Sequence, residues 1–336
     1  MFQVYQPSGR FSPLALVLVP VMLVGVVAVA YVYQLGLYWI PFIYINCLLT
    51  WGMAMVIGKA TEFVVTAGHV RNVVLSLFVF AILVVAGLGA KFGFQYLDAR
   101  TALQNELANL SQRELGIESD QPLTSEEMVQ VREAILADFT FADHIQMRVE
   151  NGWNIGRGGG GQVSGPFVYL VWVVELGIIL FFGGAIALEA ARQPYSEKLD
   201  RWANSVTNEM ALPITNPLMV EKITSAKSVQ ELLELPIPDN DQSNTIAVYE
   251  VHSVPDSPDE DAYLNVDLQT YSQNAKGETE VAHKFLVKLA IITAAQRAQL
   301  KENSELMQEA LAAYRASLAN PPADDTAEED DDANPA

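Results

Sequence analysis

The chain has 336 residues, 51% of them hydrophobic, with a mean hydropathy of +0.19 and a net charge of −20 from 20 Lys+Arg against 40 Asp+Glu. This balance argues against a nucleic-acid partner, which needs clustered cations, and the single cysteine, Cys47, excludes an internal disulfide and any cysteine-based zinc site. The hydropathy is high for a soluble protein, and it is concentrated in four stretches near the ~20 residues that a helix needs to cross a bilayer.

The first stretch, 13–33, is uncharged and contains Pro20. It exceeds the usual signal-peptide core and no small-x-small cleavage pattern follows, so it reads as a retained span. A short link leads to the second, 38–57, which opens on Tyr38, Trp39, Phe42 and Tyr44, rings of the kind that anchor at a membrane interface. Ala54 and Gly58 are spaced for close helix contact, as are Gly89 and Gly93 near the end of the third span, 73–94. Leu103, Leu107 and Leu110 keep one-face spacing and predict that this helix continues beyond the membrane. Thr124 with Glu127 forms a capping box, so 96–164 is expected to be a helical extramembrane insertion.

Its last part holds a glycine run, Gly156, Gly158, Gly159, Gly160 and Gly161. The run formally contains GxGxxG, but no strand precedes it and no Gly-Lys-Ser/Thr follows, so it is read as a hinge. The fourth span, within 165–190, carries one acid, Glu175, near its middle. A charge there is costly enough to require a partner or a proton. Asn46, at matched depth on the second span, is the expected partner.

After Arg192 the composition changes to that of a soluble domain, 195–320, and the segment 195–336, tail included, carries most of the acidic excess. Thr245–His252, Leu264–Gln269 and Val281–Ile291 alternate as strands, and Thr293 with Gln296 caps a helix whose stripe is Leu300, Met307, Leu311, Tyr314 and Leu318. A piece from Leu212 to Asn320 is expected to fold alone. The tail, 321–336, is Pro, Asp, Glu and Ala and is expected to be disordered.

The fold class predicted is therefore a membrane all-α bundle of four transmembrane helices with an extramembrane helical insertion, plus a C-terminal α+β domain built from a three-stranded antiparallel sheet and a covering helix. No cofactor and no metal are expected. The four histidines are scattered and read as solvated surface, and Asp143, His144 and Glu150 match no ligand spacing. No nucleophile elbow or acid–base pair is legible, which leaves an enzyme the least favoured class. The layout predicts a multi-pass protein of the bacterial cytoplasmic membrane with both termini cytosolic, in contact with the lipid bilayer and binding a protein partner through 195–320. Homo-oligomerisation is left open. The alternative is a transporter or channel component that uses Glu175.

Overall fold

The computed structural model describes residues 2–39, 43–110, 124–154, 162–236, 243–257, 262–274 and 276–319. The glycine run from Gly156 to Gly161 and the tail after Asn320 lie outside the described residues. The chain divides into two compact units, residues 7–192, and residues 1–6 together with 193–336.

The first unit is helical. It runs α1 (Leu14–Trp39), α2 (Ile43–Ala67), α3 (Val73–Asn109), α4 (Ser125–Asp138), α5 (Phe141–Asn151), a two-residue pair β1 (Trp153–Asn154) and β2 (Gln162–Val163), then α6 (Pro166–Ile178), a π-helical turn at Ile179–Gly183 and α7 (Gly184–Arg192). The helices α1, α2, α3 and the combined α6–α7 are each long and apolar enough to cross a membrane. Their outer faces carry large apolar side chains that no protein atom covers, among them Val24, Val74, Val85, Phe167 and Phe181.

Small residues set how closely the helices approach. Cα of Gly183 lies against Gly58, where an added Cβ would come within 3.1 Å of it, and a Cβ on Gly183 would meet the Ala54 carbonyl at 2.8 Å. The Ala54/Gly58 pair thus packs on the π turn, whose wider hydrogen-bond spacing turns Gly183 toward α2. Gly89 and Gly93 do not behave this way, since a Cβ on either would meet open space. The close contact on α3 is instead at Gly87, where a Cβ would meet Met53 Cε at 2.7 Å and Val26 Cγ1 at 3.1 Å.

Asn72 caps α3 by accepting from Leu75 N–H at 3.0 Å, and α3 continues as one helix to Asn109. The insertion begins at the Thr124/Glu127 capping box and adds a second box, Thr140 with Asp143, at the start of α5. Tyr96 on α3 donates to the Phe139 carbonyl at 3.0 Å and stacks on the Phe139 ring, which ties α4 and α5 to the α3 extension.

The second unit holds a four-stranded antiparallel sheet, not the three-stranded one expected. A short pair, β3 (Tyr195–Ser196) and β4 (Arg201–Trp202), leads into β5 (Ser205–Pro213), α8 (Pro217–Ser225), α9 (Val229–Leu233), β6 (Thr245–Ser253), β7 (Ala262–Gln273), β8 (Thr279–Ile292) and α10 (Ala294–Ala319). The sheet order is β5-β6-β7-β8. The fourth strand, β5, escapes a pattern search because a bulge between Asn208 and Met210 breaks its alternation and a proline ends it.

One sheet face buries Leu212, Tyr249, Val251, Leu264, Val266 and Ile292 under Ile223 of α8, Leu232 of α9, and Leu300 and Met307 of α10. Arg297 on α10 reaches Glu209 on β5 at 3.1 Å. Beyond Thr270, the last β7 residue paired with β6, β7 and β8 run on as a two-stranded ribbon whose residues 271–273 and 279–281 are exposed on both faces.

The N-terminal residues complete this sheet. Ile291 N–H donates to the Gln3 carbonyl at 2.8 Å, Tyr5 N–H donates to the Leu289 carbonyl at 2.9 Å, and Val4 pairs antiparallel with Ala290. Phe2 packs on the core and Tyr5 meets Tyr263 edge-on. Leu289 sits at φ +50°, a region that favours glycine, in a bulge of β8. Asn265 Oδ1 accepts its N–H at 2.8 Å, and the docked N-terminal strand takes its carbonyl.

The domain is therefore discontinuous in sequence, and a piece starting at Leu212 would also lose all of β5 but its last two residues. We expect residues 205–319 alone to be less stable, by roughly 1–3 kcal/mol, than the same piece supplied with residues 2–6 as an added edge strand, from the lost hydrogen bonds and the core surface that Phe2 no longer covers. Thermal unfolding of the two checks this. Equal melting temperatures would show that the N-terminal strand contributes nothing.

Candidate functional site

Three of the four long helices bring ionisable or phenolic groups to one point. Lys91 on α3 and Glu175 on α6 are both buried, at 1% and 6% exposure, and the lysine ammonium lies 2.5 Å from each carboxylate oxygen. Tyr33 on α1 donates its hydroxyl to Glu175 Oε1. Thr50 on α2 lies 2.9 Å from the Tyr33 hydroxyl and donates to the Asn46 carbonyl one turn earlier at 2.8 Å. Beside this cluster, Gln95 donates to Gln34 at 2.8 Å between α3 and α1, so a second polar pair is closed by its own partner. The Lys91 ammonium also stands 5.4 Å from the Tyr33 ring centre and 5.0 Å from that of Phe92.

The depths follow from the connectivity. At 1.5 Å per residue Lys91 lies roughly 27 Å along α3 from Val73, and Glu175 roughly 13 Å along α6 from Pro166. The two helices run in opposite directions, so the sum spans the bundle and the two charges meet. Sequence reasoning missed this pair. It expected Asn46 to hold Glu175. The signal was available, because an ionisable residue inside an apolar run needs an opposite charge at its own depth, and Lys91 is that residue for Glu175.

Asn46 is nearby but not bonded to the acid. Its side-chain oxygen is buried without a hydrogen-bond partner and borders a cavity of about 40 Å³ lined also by Tyr33, Leu37, Cys47, Thr50, Val174 and Glu175. The π turn begins four residues after Glu175, a kind of irregularity that recurs at functional sites in helices. The hinge glycines lie outside the described residues, so the site as seen involves Glu175 and Asn46 together with Lys91, Tyr33 and Thr50.

His144 corrects a second expectation. It is 2% exposed, not solvated, and packs against the rings of Tyr96 and Phe141 with neither ring nitrogen hydrogen-bonded. Burial, and then the charge of Arg148, hold its pKa below the ordinary histidine range. Among the described residues no group of three or more His, Cys, Asp or Glu side chains could hold a metal ion.

Two expectations follow. Removing one partner of a buried pair leaves an uncompensated charge, so Glu175→Gln and Lys91→Met should each lower stability by about 3–5 kcal/mol, while the double change Lys91→Met/Glu175→Leu should recover most of it. Denaturant titration in detergent measures the cycle, and single variants as stable as the wild type would show that the pair is not a structural element. For His144 the unfolded chain binds the proton more readily, so stability from this residue is complete above its ordinary value of 6.5 and lost as the pH falls below it. Comparing the wild type with His144→Phe between pH 7 and about 5 should show the acid loss only in the wild type.

Comparison with protein-family models, curated proteins and solved structures finds no match for this chain.

Proposed function

We propose that the chain is a multi-pass membrane protein in which α1, α2, α3 and α6–α7 cross the bilayer and anchor a protein-binding domain on the cytosolic face. The observation that carries this reading is the paired state of the buried Lys91–Glu175 site. Glu175 is neutralised and hydrogen-bonded by Lys91 and Tyr33, and the space beside it is about 40 Å³, room for a few waters and not that of a solute path. An anchor needs a bundle of this kind.

The binding function belongs to the β7–β8 ribbon. Tyr271 and Val281, opposite one another, expose apolar surface there, Phe285 adds to it on the adjoining part of β8 under the Lys288 ammonium, and an isolated two-stranded ribbon is marginal without a partner. Orientation is supported by charge. Arg10, Lys59, Arg71 and Arg192 flank the spans on the side of the termini, against Arg100, Arg148 and Arg157 on the side of the insertion, where Lys91 no longer counts because it pairs inside the bundle. A transporter component is the second reading, favoured by the contact of the cavity with Glu175.

Topology is tested with Ser125→Cys and Ser272→Cys in a Cys47→Ser background, using a membrane-impermeant thiol reagent on intact cells. Ser125→Cys should label and Ser272→Cys should not, whereas the reverse would overturn the orientation. Binding is tested by capture from detergent extracts with the full chain. A partner retained by the wild type and lost with Val281→Asp/Phe285→Asp supports the reading, and capture unaffected by those changes removes the ribbon from it.

A further inference from the structure

The buried cluster holds more acceptor contacts than hydroxyl protons. Tyr33 and Thr50 have one hydroxyl proton each, while three contacts line up: Glu175 to Tyr33, Tyr33 to Thr50 at 2.9 Å, and Thr50 to the Asn46 carbonyl at 2.8 Å. With two hydroxyl protons for three contacts, the row is filled without a break only when Glu175 brings a third proton. With Glu175 a carboxylate, Tyr33 donates to it, and the single Thr50 proton goes either to the Asn46 carbonyl, leaving the Tyr33–Thr50 contact without a proton, or to Tyr33, leaving the Asn46 carbonyl only its helical N–H. With Glu175 a carboxylic acid, Glu175 donates to Tyr33, Tyr33 to Thr50, and Thr50 to the Asn46 carbonyl. The filled state differs from the carboxylate state with Thr50 donating to Tyr33 by one proton and the direction of two hydroxyls.

The row also leads somewhere. Asn46 lies within one turn of the start of α2, so the row climbs from Glu175 toward the end of the bundle where α6 begins. There the cavity of about 40 Å³ touches Tyr33, Asn46, Thr50 and Glu175, and the Asn46 side-chain oxygen is a buried acceptor with no partner. A single water needs roughly 10–15 Å³ of free volume, which the cavity has, and Asn46 Oδ1 is the acceptor without a partner among the residues that line it.

We propose that Asn46, Thr50 and Tyr33 form a proton relay from the bundle end to Glu175. It rests on the membrane-spanning reading given above. A hydronium in the cavity gives its proton to Thr50 Oγ1 and leaves as water. The Thr50 hydroxyl proton passes to Tyr33 Oη, and the Tyr33 proton passes to Glu175 Oε1. Three O–H bonds break, three form, and the carboxylate becomes a carboxylic acid with no other reactant. Lys91 from α3 loses its counter-charge, so loading the site loosens the α3–α6 contact. The other titratable groups facing the site are Tyr33 from α1 and Cys47 from α2, and Arg148 on α5 acts on Lys91 through its field. Tyr33 is a member of the relay, and the rest define the field against which Glu175 takes up its proton.

Infrared spectroscopy of the full chain in lipid nanodiscs tests the relay. A carboxyl stretch that grows after a rapid pH drop and is missing in Glu175→Gln reports the loading of Glu175. Thr50→Val should slow its rise by roughly a hundredfold, the low end of what a positioned proton carrier contributes, with the final amplitude unchanged. Thr50→Ser should restore the wild-type rate, and Asn46→Leu should slow it as well without touching the hydroxyls. Melting curves taken on each variant show which are folded, and Asn46→Leu carries the test if Thr50→Val is not. Wild-type rates in both Thr50→Val and Asn46→Leu would overturn the relay, as would the absence of any Glu175-dependent band. Failure of the membrane reading would appear separately, in the cysteine labelling.

Discussion

An ammonium and a carboxylate held out of water on two antiparallel helices set the geometry of the helical unit. Either charge alone costs several kcal/mol in such surroundings, and together they are neutral. An apolar replacement would be about as stable, so the effect of the pair is on register. Sliding α6 by one turn relative to α3 would carry Glu175 ~5 Å from Lys91 and leave two unpaired charges. With that register fixed, Gly183 faces Gly58 and Ala54, and the π turn becomes the local cost of meeting both constraints with one helix. The phenol of Tyr33 and the hydroxyl of Thr50 then fall where α1 and α2 complete the hydrogen bonding of the acid.

Much of this architecture was legible. Four apolar runs, the Thr124 and Thr293 caps, and the alternation of β6, β7 and β8 are local signals, carried by neighbouring residues and short spacings. What was hidden is long-range. Lys91 and Glu175 announce themselves singly as costs, but which residue settles the cost depends on how the helices are paired. Gly87 gives no more sequence signal than Gly89 or Gly93, and only its position opposite Met53 and Val26 distinguishes it. His144 looked like surface because its segment is polar, and it is buried by aromatic rings from α3 and its own helix. The strand β5 was masked by its bulge, and residues 2–6 are too short to read as a strand at all.

The two units manage exposed apolar groups differently. In the helical unit the outward Val, Leu and Phe side chains form continuous belts, which suits a lipid solvent. In the sheet unit the core is covered by α8, α9 and α10, and apolar exposure is confined to isolated side chains such as those of the β7–β8 ribbon. Two solvents are thus implied by one chain.

The pairing of Gln3 and Tyr5 with Leu289 and Ile291 joins segments that lie more than 280 residues apart in the order of synthesis. At synthesis rates of roughly 5–20 residues per second, the opening segment waits on the order of 15–60 s for its partner strand to leave the ribosome. During that interval all four long helices are made, while the edge of the sheet that will receive residues 2–6 does not yet exist. Closure of the sheet therefore reports that the whole chain has been read through β8. A product truncated anywhere before Ala290 would present a free N-terminal strand and an unfinished sheet, the kind of exposed backbone that proteolysis and chaperones act on.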